Sequence, residues 1–538
     1  MLSLCLMLSS FSLAVYADDA APAANMINIP DSSPWKGSVF GDVGGQDEIN
    51  MTNFEITEHP DGSVTLRSSN DRGKIASDTE GIAYYYQDVS YLDNYELKAK
   101  AHVDAWTANN QVAFGIMVRE RILDNQSASF TSDYVAVGAL DQAMKGFYKK
   151  GSTLVKSGYE FSADPPGANR TYELTLRKYG NVYSIRIGDQ SYEIVTDSRM
   201  EYAGLFTSRN TTVTFTDVEL YVLPSHRYAT EFQFRYFGSN TSGAKNPDPY
   251  IEPDEGLTMK ASGGKISSTD EGISFYYVEM DADSNFEISA DVRVKSFNGD
   301  SSINNPNQKS FGIMVRDEVG EHGNTATQTS NYVAVGALDL VMKAFYKKDN
   351  PNQKLDTYTA NPPAANETYH LSLRKNGDVY VMSVNGEEQT IELDGLFSDE
   401  DIYVGFYVAR DAEITLSNGY LADDRRKVLS LSVDAAEMKT DYLVGESLEL
   451  TGLKVTAVTE DAEGNLREEV LNSNEYVVTG FDSGTPGTNT IQVHFHGLKE
   501  PVDLTIWALS VVHLEVEFYP AKTVYYPGDR FDPEGMTV

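Results

Sequence analysis

The chain has 538 residues and a formal net charge of −37, with 33 tyrosines, 3 tryptophans and 1 cysteine. This length exceeds that of one ordinary domain and predicts several. So large an acidic excess argues against nucleic acid as a partner and against anionic membranes, because both attract basic proteins.

The first residues have the pattern of a secretory leader. An apolar run from Leu2 to Val15 precedes a small-x-small cleavage pattern and two aspartates, and the run is too short to span a membrane. We therefore predict a signal peptide over residues 1–17, a flexible leader over 18–34 and no membrane insertion. Cys5 lies in the signal peptide, so the exported chain lacks disulfides, which is typical of secreted Gram-positive proteins. Association with the cell wall stays open.

Two long repeats follow the leader. The segment YVAVGALDQAMKGFYKK at 134–150 returns as YVAVGALDLVMKAFYKK at 332–348, and FGIMVR precedes each copy. Segments such as TYELTLRK alternate apolar and polar residues with period two, which predicts strands, and no helical period is sustained. We predict two β-sandwich repeats, at residues 35–223 and 226–423.

A shorter repeat occupies the rest of the chain. KTDYLVGESLELTGLKV, which begins at Lys439, is echoed by KTVYYPGDRFDPEGMTV, which begins at Lys522. The pattern predicts an Ig-like domain over 427–509 and the truncated start of a second one over 511–538. A domain cut there could not close its core, so we interpret the sequence as a fragment of a longer protein.

These motifs resemble two known families. The short repeat resembles group 3 bacterial Ig-like domains, whose pattern appears at Tyr442, Gly445, Glu446, Gly452 and Val455. The long repeats resemble the concanavalin-like accessory sandwiches of secreted polysaccharide-degrading enzymes, pectate lyases especially, through EGIAYYY, FGIMVR, YVAVGAL and MKGFYKK. The resemblance implies an all-β chain of two tandem concanavalin-like (jelly-roll) sandwiches followed by an Ig-like sandwich. It also implies a non-catalytic carbohydrate-binding region whose catalytic domain lies outside these residues.

Strand alternation predicts which side chains meet a ligand. If Ile116 points to the core, Arg119 and Tyr134 point outward, and the same reasoning in GIAYYY places Tyr84 inward and Tyr85 outward. Aromatic rings stack on pyranose faces and Arg binds sugar hydroxyls or carboxylates. Carbohydrate contact is therefore predicted for Tyr85, Arg119, Tyr134, Tyr276, Arg316 and Tyr332. The alternative is that this face packs beneath loops.

The repeated basic segment supplies further candidates. Alternation places Lys145 and Lys149 on one strand face, as it does Lys343 and Lys347 in the second copy. A local cluster of cations would attract an acidic polymer such as polygalacturonate. The alternative is a solvated edge strand, where lysines deter aggregation.

The sequence signals for catalysis and for metal binding are weaker than those for carbohydrate contact. The E-x-D-x-x-E run of retaining glucanases, which brings two carboxyls close together, is absent from the sequence, and Glu287 with Asp291 is an incomplete version. His494 and His496 form an isolated H-x-H pair, which favours a surface strand over a metal site. The segment DADSN at 281–285 resembles part of a Ca²⁺ loop, so a structural Ca²⁺ stays open while its ligands cannot be placed.

Two functions of different classes remain at this point. One is the carbohydrate-binding region of a polysaccharide lyase, or alternatively of a glycoside hydrolase. The other is a cell-surface adhesin or wall protein with an Ig-like stalk.

Overall fold

The structure is a computed structural model that describes residues 27–44, 53–253, 255–267, 269–297, 308–327, 329–349, 352–397, 401–461, 464–508 and 518–536. These residues are all-β and contain no α-helix, and none of them forms a helix able to cross a membrane. The predicted signal peptide over 1–17 lies outside them. Two compact units divide after Leu223, and the second holds both the second sandwich and the Ig-like domain.

The first sandwich is built from strands that alternate between a buried core face and a second face. In chain order they are β1 (Ile27–Asn28), β2 (Lys36–Gly41), β3 (Phe54–Glu58), β4 (Val64–Ser68), β5 (Lys74–Ile75), β6 (Glu80–Asp88), β7 (Tyr95–Trp106), β8 (Ala113–Arg119), β9 (Tyr134–Leu140), β10 (Ala143–Lys150), β11 (Thr153–Val155), β12 (Thr171–Tyr179), β13 (Val182–Ile187), β14 (Gln190–Val195), β15 (Tyr202–Ser208) and β16 (Thr211–Val222).

These strands form two sheets that enclose one core. The front sheet has the order β11-β10-β9-β8-β15-β6-β2, with β5 beside β6, and the back sheet has the order β1-β3-β4-β16-β7-β12-β13-β14. Ile116, Val137 and Leu205 of the front sheet and Leu97 and Leu176 of the back sheet lie in one buried cluster. Cross-strand packing of β-branched, aliphatic and aromatic side chains stabilises both sheets.

The second sandwich repeats this arrangement. Its strands are β17 (Ser225–Arg227), β18 (Gln233–Gly238), β19 (Tyr250–Glu252), β20 (Gly256–Ala261), β21 (Lys265–Ile266), β22 (Glu271–Asp281), β23 (Asn285–Phe297), β24 (Ser310–Arg316), β25 (Tyr332–Leu338), β26 (Val341–Lys347), β27 (Asn352–Thr357), β28 (Thr368–Asn376), β29 (Val379–Val384), β30 (Glu387–Glu392), β31 (Asp401–Ala409) and β32 (Ala412–Asp424). The front order is β27-β26-β25-β24-β31-β22-β18 and the back order is β19-β20-β32-β23-β28-β29-β30.

A second, smaller apolar layer covers the outer face of each front sheet, the face that points away from the sandwich core. In the first sandwich it contains Phe40, Tyr84, Met117 and Phe206, with Phe130 of the β8–β9 connection packed against it. The second sandwich has an equivalent layer. The front strands are therefore buried on both faces, which explains why their sequences read as nearly continuous apolar runs.

Residues 27–34 correct the prediction of a flexible leader. β1 pairs in parallel with β3, and Ser33 donates a 2.6 Å hydrogen bond to Glu58. A Cβ atom on Gly37 would lie 2.9 Å from both Ile27 and Ile29, so the absence of a side chain there makes room for this segment. The apolar pair Ile27 and Ile29 is the reason that the end of the leader is ordered against the sandwich.

The Ig-like domain consists of two facing sheets, β33-β35-β36 and β34-β39-β38-β37. Its strands are β33 (Lys427–Asp434), β34 (Asp441–Leu443), β35 (Lys454–Glu460), β36 (Leu466–Val470), β37 (Val477–Thr479), β38 (Gly487–Phe495) and β39 (Leu498–Trp507). Tyr442 belongs to the motif that carries the resemblance to group 3 bacterial Ig-like domains. Its hydroxyl donates a hydrogen bond to the C=O of Glu449 and accepts one from the N–H of the same residue, each 3.2 Å long. Tyr525 makes the same two bonds to Asp532 in the segment 518–536.

The Ig-like domain joins the second sandwich through a buried arginine. Arg426 forms ion pairs with Asp424 of β32 at 2.5 Å and with Glu469 and Glu475 of the Ig-like domain at 2.9 Å each. Asn376, the last residue of β28, donates to the carbonyl of Glu475 at 3.0 Å. The predicted domain boundaries themselves stay a prediction.

Candidate functional site

Three predicted residues of each sandwich form a cross-strand row on the outer face of the front sheet. Arg119 of β8 is paired with Tyr134 of β9, which is paired with Lys149 of β10. The second sandwich repeats the row as Arg316, Tyr332 and Lys347. Cross-strand partners share one face of a sheet, so the structure brings these side chains together as alternation predicts.

A carboxylate that the sequence reasoning missed completes the row. Glu80, the first residue of β6, forms a buried ion pair with Arg119, and its counterpart Glu271 accepts from Arg316 at 2.8 Å and from Lys347 at 3.3 Å. Burial raises the pKa of Glu80, and the Arg119 charge opposes that shift. The available signal was the Glu-Gly pair that opens β6 and β22 in both repeats.

The row is nevertheless buried, which is the arrangement described by the alternative that this face packs beneath loops. Arg119 and Tyr134 are 0 % exposed and Lys149 is 2 % exposed. The Arg119 guanidinium lies 4.8 Å from the Phe40 ring centroid and 5.7 Å from that of Phe130, and these rings seal it from water. The residues of the second row are equally buried, with Arg316 and Tyr332 at 0 % and Lys347 at 2 %. A carbohydrate role for the two rows stays a prediction. The contacts that these side chains make in the structure are with other residues of the same sandwich.

Tyr85 and Tyr276 lie on the core face, contrary to the alternation argument. Leu205 of β15 is the cross-strand partner of both Tyr85 and Ile116, so a core position for Ile116 requires one for Tyr85. Tyr85 donates a 2.8 Å hydrogen bond to Glu58, and its pKa is raised by burial. Tyr276 pairs with Phe406 in the equivalent position and is only partly buried. The error arose because sequence alone does not show that β6 and β8 flank β15.

Lys145 and Lys343 are also largely buried. Lys145 is 9 % exposed and its Nζ donates to the carbonyl of Lys156 at 3.1 Å. Lys343 is 8 % exposed and pairs with Asp339 at 3.1 Å. Neither ammonium is presented as an exposed cation, so direct contact with polymer carboxylates also stays a prediction.

The glycines of the front sheet allow neighbouring strands to approach each other closely. Gly115 and Gly138 are directly opposed on β8 and β9, with φ near +154° and +153°. A Cβ atom on Gly138 would lie 2.1 Å from the carbonyl oxygen of Phe114. Close approach of two strands therefore requires glycine here, independently of any sugar.

The two other candidate pairs of the sequence analysis, Glu287 with Asp291 and His494 with His496, do not form sites in the structure. Asp291 pairs with His370 at 2.9 Å, and burial raises the pKa of Glu287. His494 of β38 bonds Thr479 at 2.8 Å, whereas His496 lies in the following turn. The two histidines therefore do not form a pair on one strand.

The DADSN segment borders an open cleft of about 760 Å³ in the second unit. Asp281 is the direct cross-strand partner of Asp401, and Asp283 also lines the cleft. Among the described residues there is no group of three or more His, Cys, Asp or Glu side chains suited to a metal ion. A structural Ca²⁺ stays a prediction without assigned ligands.

Comparison with protein families confirms the resemblance of the two kinds of repeat. Residues 237–361 match the Pectate disaccharide-lyase N-terminal domain, and residues 435–506 match the Bacterial Ig-like domain (group 3). The first match lies in the second sandwich and the second match lies in the Ig-like domain.

Two curated relatives are pectate lyases. Pectate lyase L of Thermoclostridium stercorarium is 47 % identical over 310 residues, which is 58 % of this chain and 24 % of the relative. Pectate disaccharide-lyase of Dickeya chrysanthemi is 26 % identical over 199 residues, covering 31 % of this chain and 27 % of the relative. The chain thus spans about a quarter of the length of these relatives. A solved carbohydrate binding module, CBM66 from Bacillus subtilis, is 13 % identical with a TM-score of 0.25, over 36 % of this chain and 99 % of the module.

Proposed function

We propose that the chain is the non-catalytic carbohydrate-binding region of an extracellular polysaccharide lyase of the pectate lyase kind. The observation that carries the proposal is the 47 % identity over 310 residues to a pectate lyase, combined with the family match over 237–361. Arg119, Arg316 and the four candidate lysines make contacts within the sandwiches and are at most 9 % exposed, so the proposal does not depend on their direct contact with the ligand. The E-x-D-x-x-E run is absent from the sequence, so these residues offer no glucanase chemistry of that kind.

Two near-copies of one sandwich support polymer binding. Joined modules convert the second binding event into an intramolecular one, which raises avidity for a polymer that repeats one epitope. The predicted source, a Gram-positive bacterium with secretion into the medium or attachment to the wall, is part of this proposal.

As the ligand of this region we propose polygalacturonate. A chain of charge −37 repels a polyanion at long range, and the four candidate lysines are buried, so binding would be bridged by Ca²⁺. Affinity electrophoresis in gels that contain polygalacturonate, with and without chelator, tests this idea. We expect retardation that chelator abolishes. Retardation that persists with chelator would contradict a Ca²⁺ bridge between the chain and the polymer. Absence of retardation by any polysaccharide would favour the alternative function, a cell-surface adhesin with an Ig-like stalk.

A further inference from the structure

The hairpin that joins β38 to β39 brings a histidine of the Ig-like domain against the second sandwich. His496 and Gly497 form its two-residue turn, because Phe495 is paired with Leu498. His496 has a φ of +48°, in a position where such turns prefer Asn or Gly. The backbone alone would therefore favour another residue here. The side chain of His496 is 6 % exposed and buried at the junction of the two domains.

Both ring nitrogens of His496 face groups that accept hydrogen bonds. Nδ1 lies 3.3 Å from the carbonyl oxygen of Arg426, and Nε2 lies 3.2 Å from Oδ2 of Asp424. Burial alone would raise the pKa of Asp424, but the Arg426 charge holds it well below its usual value, so Asp424 is ionised. A neutral imidazole carries one N–H and can donate to one of these acceptors, whereas the imidazolium carries two and donates to both. The two contacts therefore fit the charged ring.

The surroundings of the ring are predominantly negative. His496 and Asp424 border the open cleft of about 760 Å³, whose lining includes six carboxylates and two arginines. Arg426 is itself paired with Asp424, Glu469 and Glu475. The other charged groups along the cleft are Glu279, Asp281, Asp283, Asp401 and the pair of Asp423 with Arg425. An excess of carboxylates around the ring attracts a positive charge on it.

We propose that protonated His496 is a pH-sensitive clasp between the Ig-like domain and the second sandwich. The imidazolium joins the β38–β39 hairpin to Asp424 at the end of β32, and the backbone N–H of His496 donates to Asn376 of β28 at 2.5 Å. Loss of one ring proton removes the donor of one of the two ring contacts, which costs free energy at a buried site. A fold that prefers the charged form of a histidine loses stability as the pH rises past its titration, so docking should weaken between about pH 6 and 8.5. The clasp does not depend on the proposed carbohydrate-binding function.

Other titratable groups beside the clasp change stability in the opposite direction. Burial lowers the pKa of His494, so the stability that its neutral ring contributes is lost as the pH falls and not as it rises. Burial also lowers the pKa of Lys375 to about 8, so the stability that its neutral form contributes grows as the pH rises further. Burial raises the pKa of Tyr228 to about 12, and this hydroxyl keeps its proton throughout. Weaker docking at higher pH therefore points to His496.

The test follows thermal unfolding of the Ig-like domain in the full chain at pH 6 and at pH 8.5. Trp507 of β39 reports this domain when Trp35 and Trp106, the other two tryptophans, are replaced by Phe in every sample. The chain with His496 is compared with His496→Asn, which suits the turn but has no ring to protonate. His370→Gln is the matched control. Its ring lies 2.9 Å from Asp291 but is 54 % exposed, and exposed ion pairs contribute little to stability.

We expect docking about tenfold weaker at the higher pH, which is about 1.4 kcal/mol and lowers the melting temperature of a domain of this size by roughly 6–11 °C. His370→Gln should show the same fall. His496→Asn should already melt at the lower temperature at pH 6 and lose most of the pH dependence. His496→Gln is a second neutral variant in case His496→Asn does not fold.

Two results would overturn the clasp. One is a melting temperature of the His496 chain that stays constant or rises between pH 6 and pH 8.5. The other is a fall of the same size in a folded neutral variant, which would show that the pH dependence has another origin. Either result leaves polysaccharide binding untouched, because the measurement contains no ligand.

Discussion

Replacing Glu96 should remove an acid-sensitive part of the stability of the first sandwich. Its carboxylate is buried on the back sheet, 2.6 Å from Lys98, 3.1 Å from Arg186 and 3.4 Å from Arg177. Burial alone would raise the pKa of Glu96, but the three cations together lower it from 4.5 to about 2. A shift of this size corresponds to about 3 kcal/mol of folding free energy.

The direction in which stability changes with pH follows from the number of protons bound in the folded and the unfolded state. A carboxyl whose pKa is lower in the folded state stabilises the fold above the unfolded pKa, and this stability is lost as the pH falls from about 4.5 towards 2. Glu96→Gln should therefore cost about 3 kcal/mol at neutral pH and much less near pH 2. Urea unfolding followed by tryptophan fluorescence measures the difference, because two of the three tryptophans, Trp35 and Trp106, lie in the first sandwich.

Glu287 provides the matched control. It occupies the same register in the second sandwich, where it pairs with Arg374 as Glu96 pairs with Arg177. Burial raises the pKa of Glu287 despite Arg374, so its ionised form destabilises the fold as the pH rises above the unfolded pKa. Glu287→Gln should leave the tryptophan-reported transition unchanged. A pH profile for Glu96→Gln that runs parallel to that of the wild type between neutral pH and pH 3 would refute the reasoning.

Two further predictions concern buried ion pairs. Arg119→Met should destabilise the first sandwich by about 3–5 kcal/mol, because it strands a buried carboxylate, and Glu80→Gln/Arg119→Met should recover much of the loss. Equal urea midpoints for the single and double variants would show that the charge is not the cause. Arg426→Met removes the cation shared by Asp424, Glu469 and Glu475, so the Ig-like domain should melt at a lower temperature by calorimetry. An unchanged thermogram would contradict the role of this junction.

Much of the fold could be predicted from periodicity and repetition. The repeat that begins at Tyr134 and Tyr332 defines two copies of one β module, and alternation in YVAVGAL assigns Val135 and Val137 to the core, where the structure has them. The all-β class and the Ig-like domain are confirmed. These features depend on local sequence, which is why they could be predicted.

The candidate site depended on information that local sequence lacks. The face of Tyr85 follows from the sheet order β6-β15-β8, a non-local pairing that alternation within GIAYYY cannot provide. The burial of Arg119 follows from Phe130 in a connecting loop, and its partner Glu80 is distant in sequence.

The most direct test of the account is depletion of the chain from solution by insoluble cell-wall polysaccharide, read together with release of unsaturated uronate from polygalacturonate. A binding region without its own catalytic centre should be depleted saturably and release no product. A chain that remains in the supernatant at every load, or one that releases unsaturated product, would contradict the central claim.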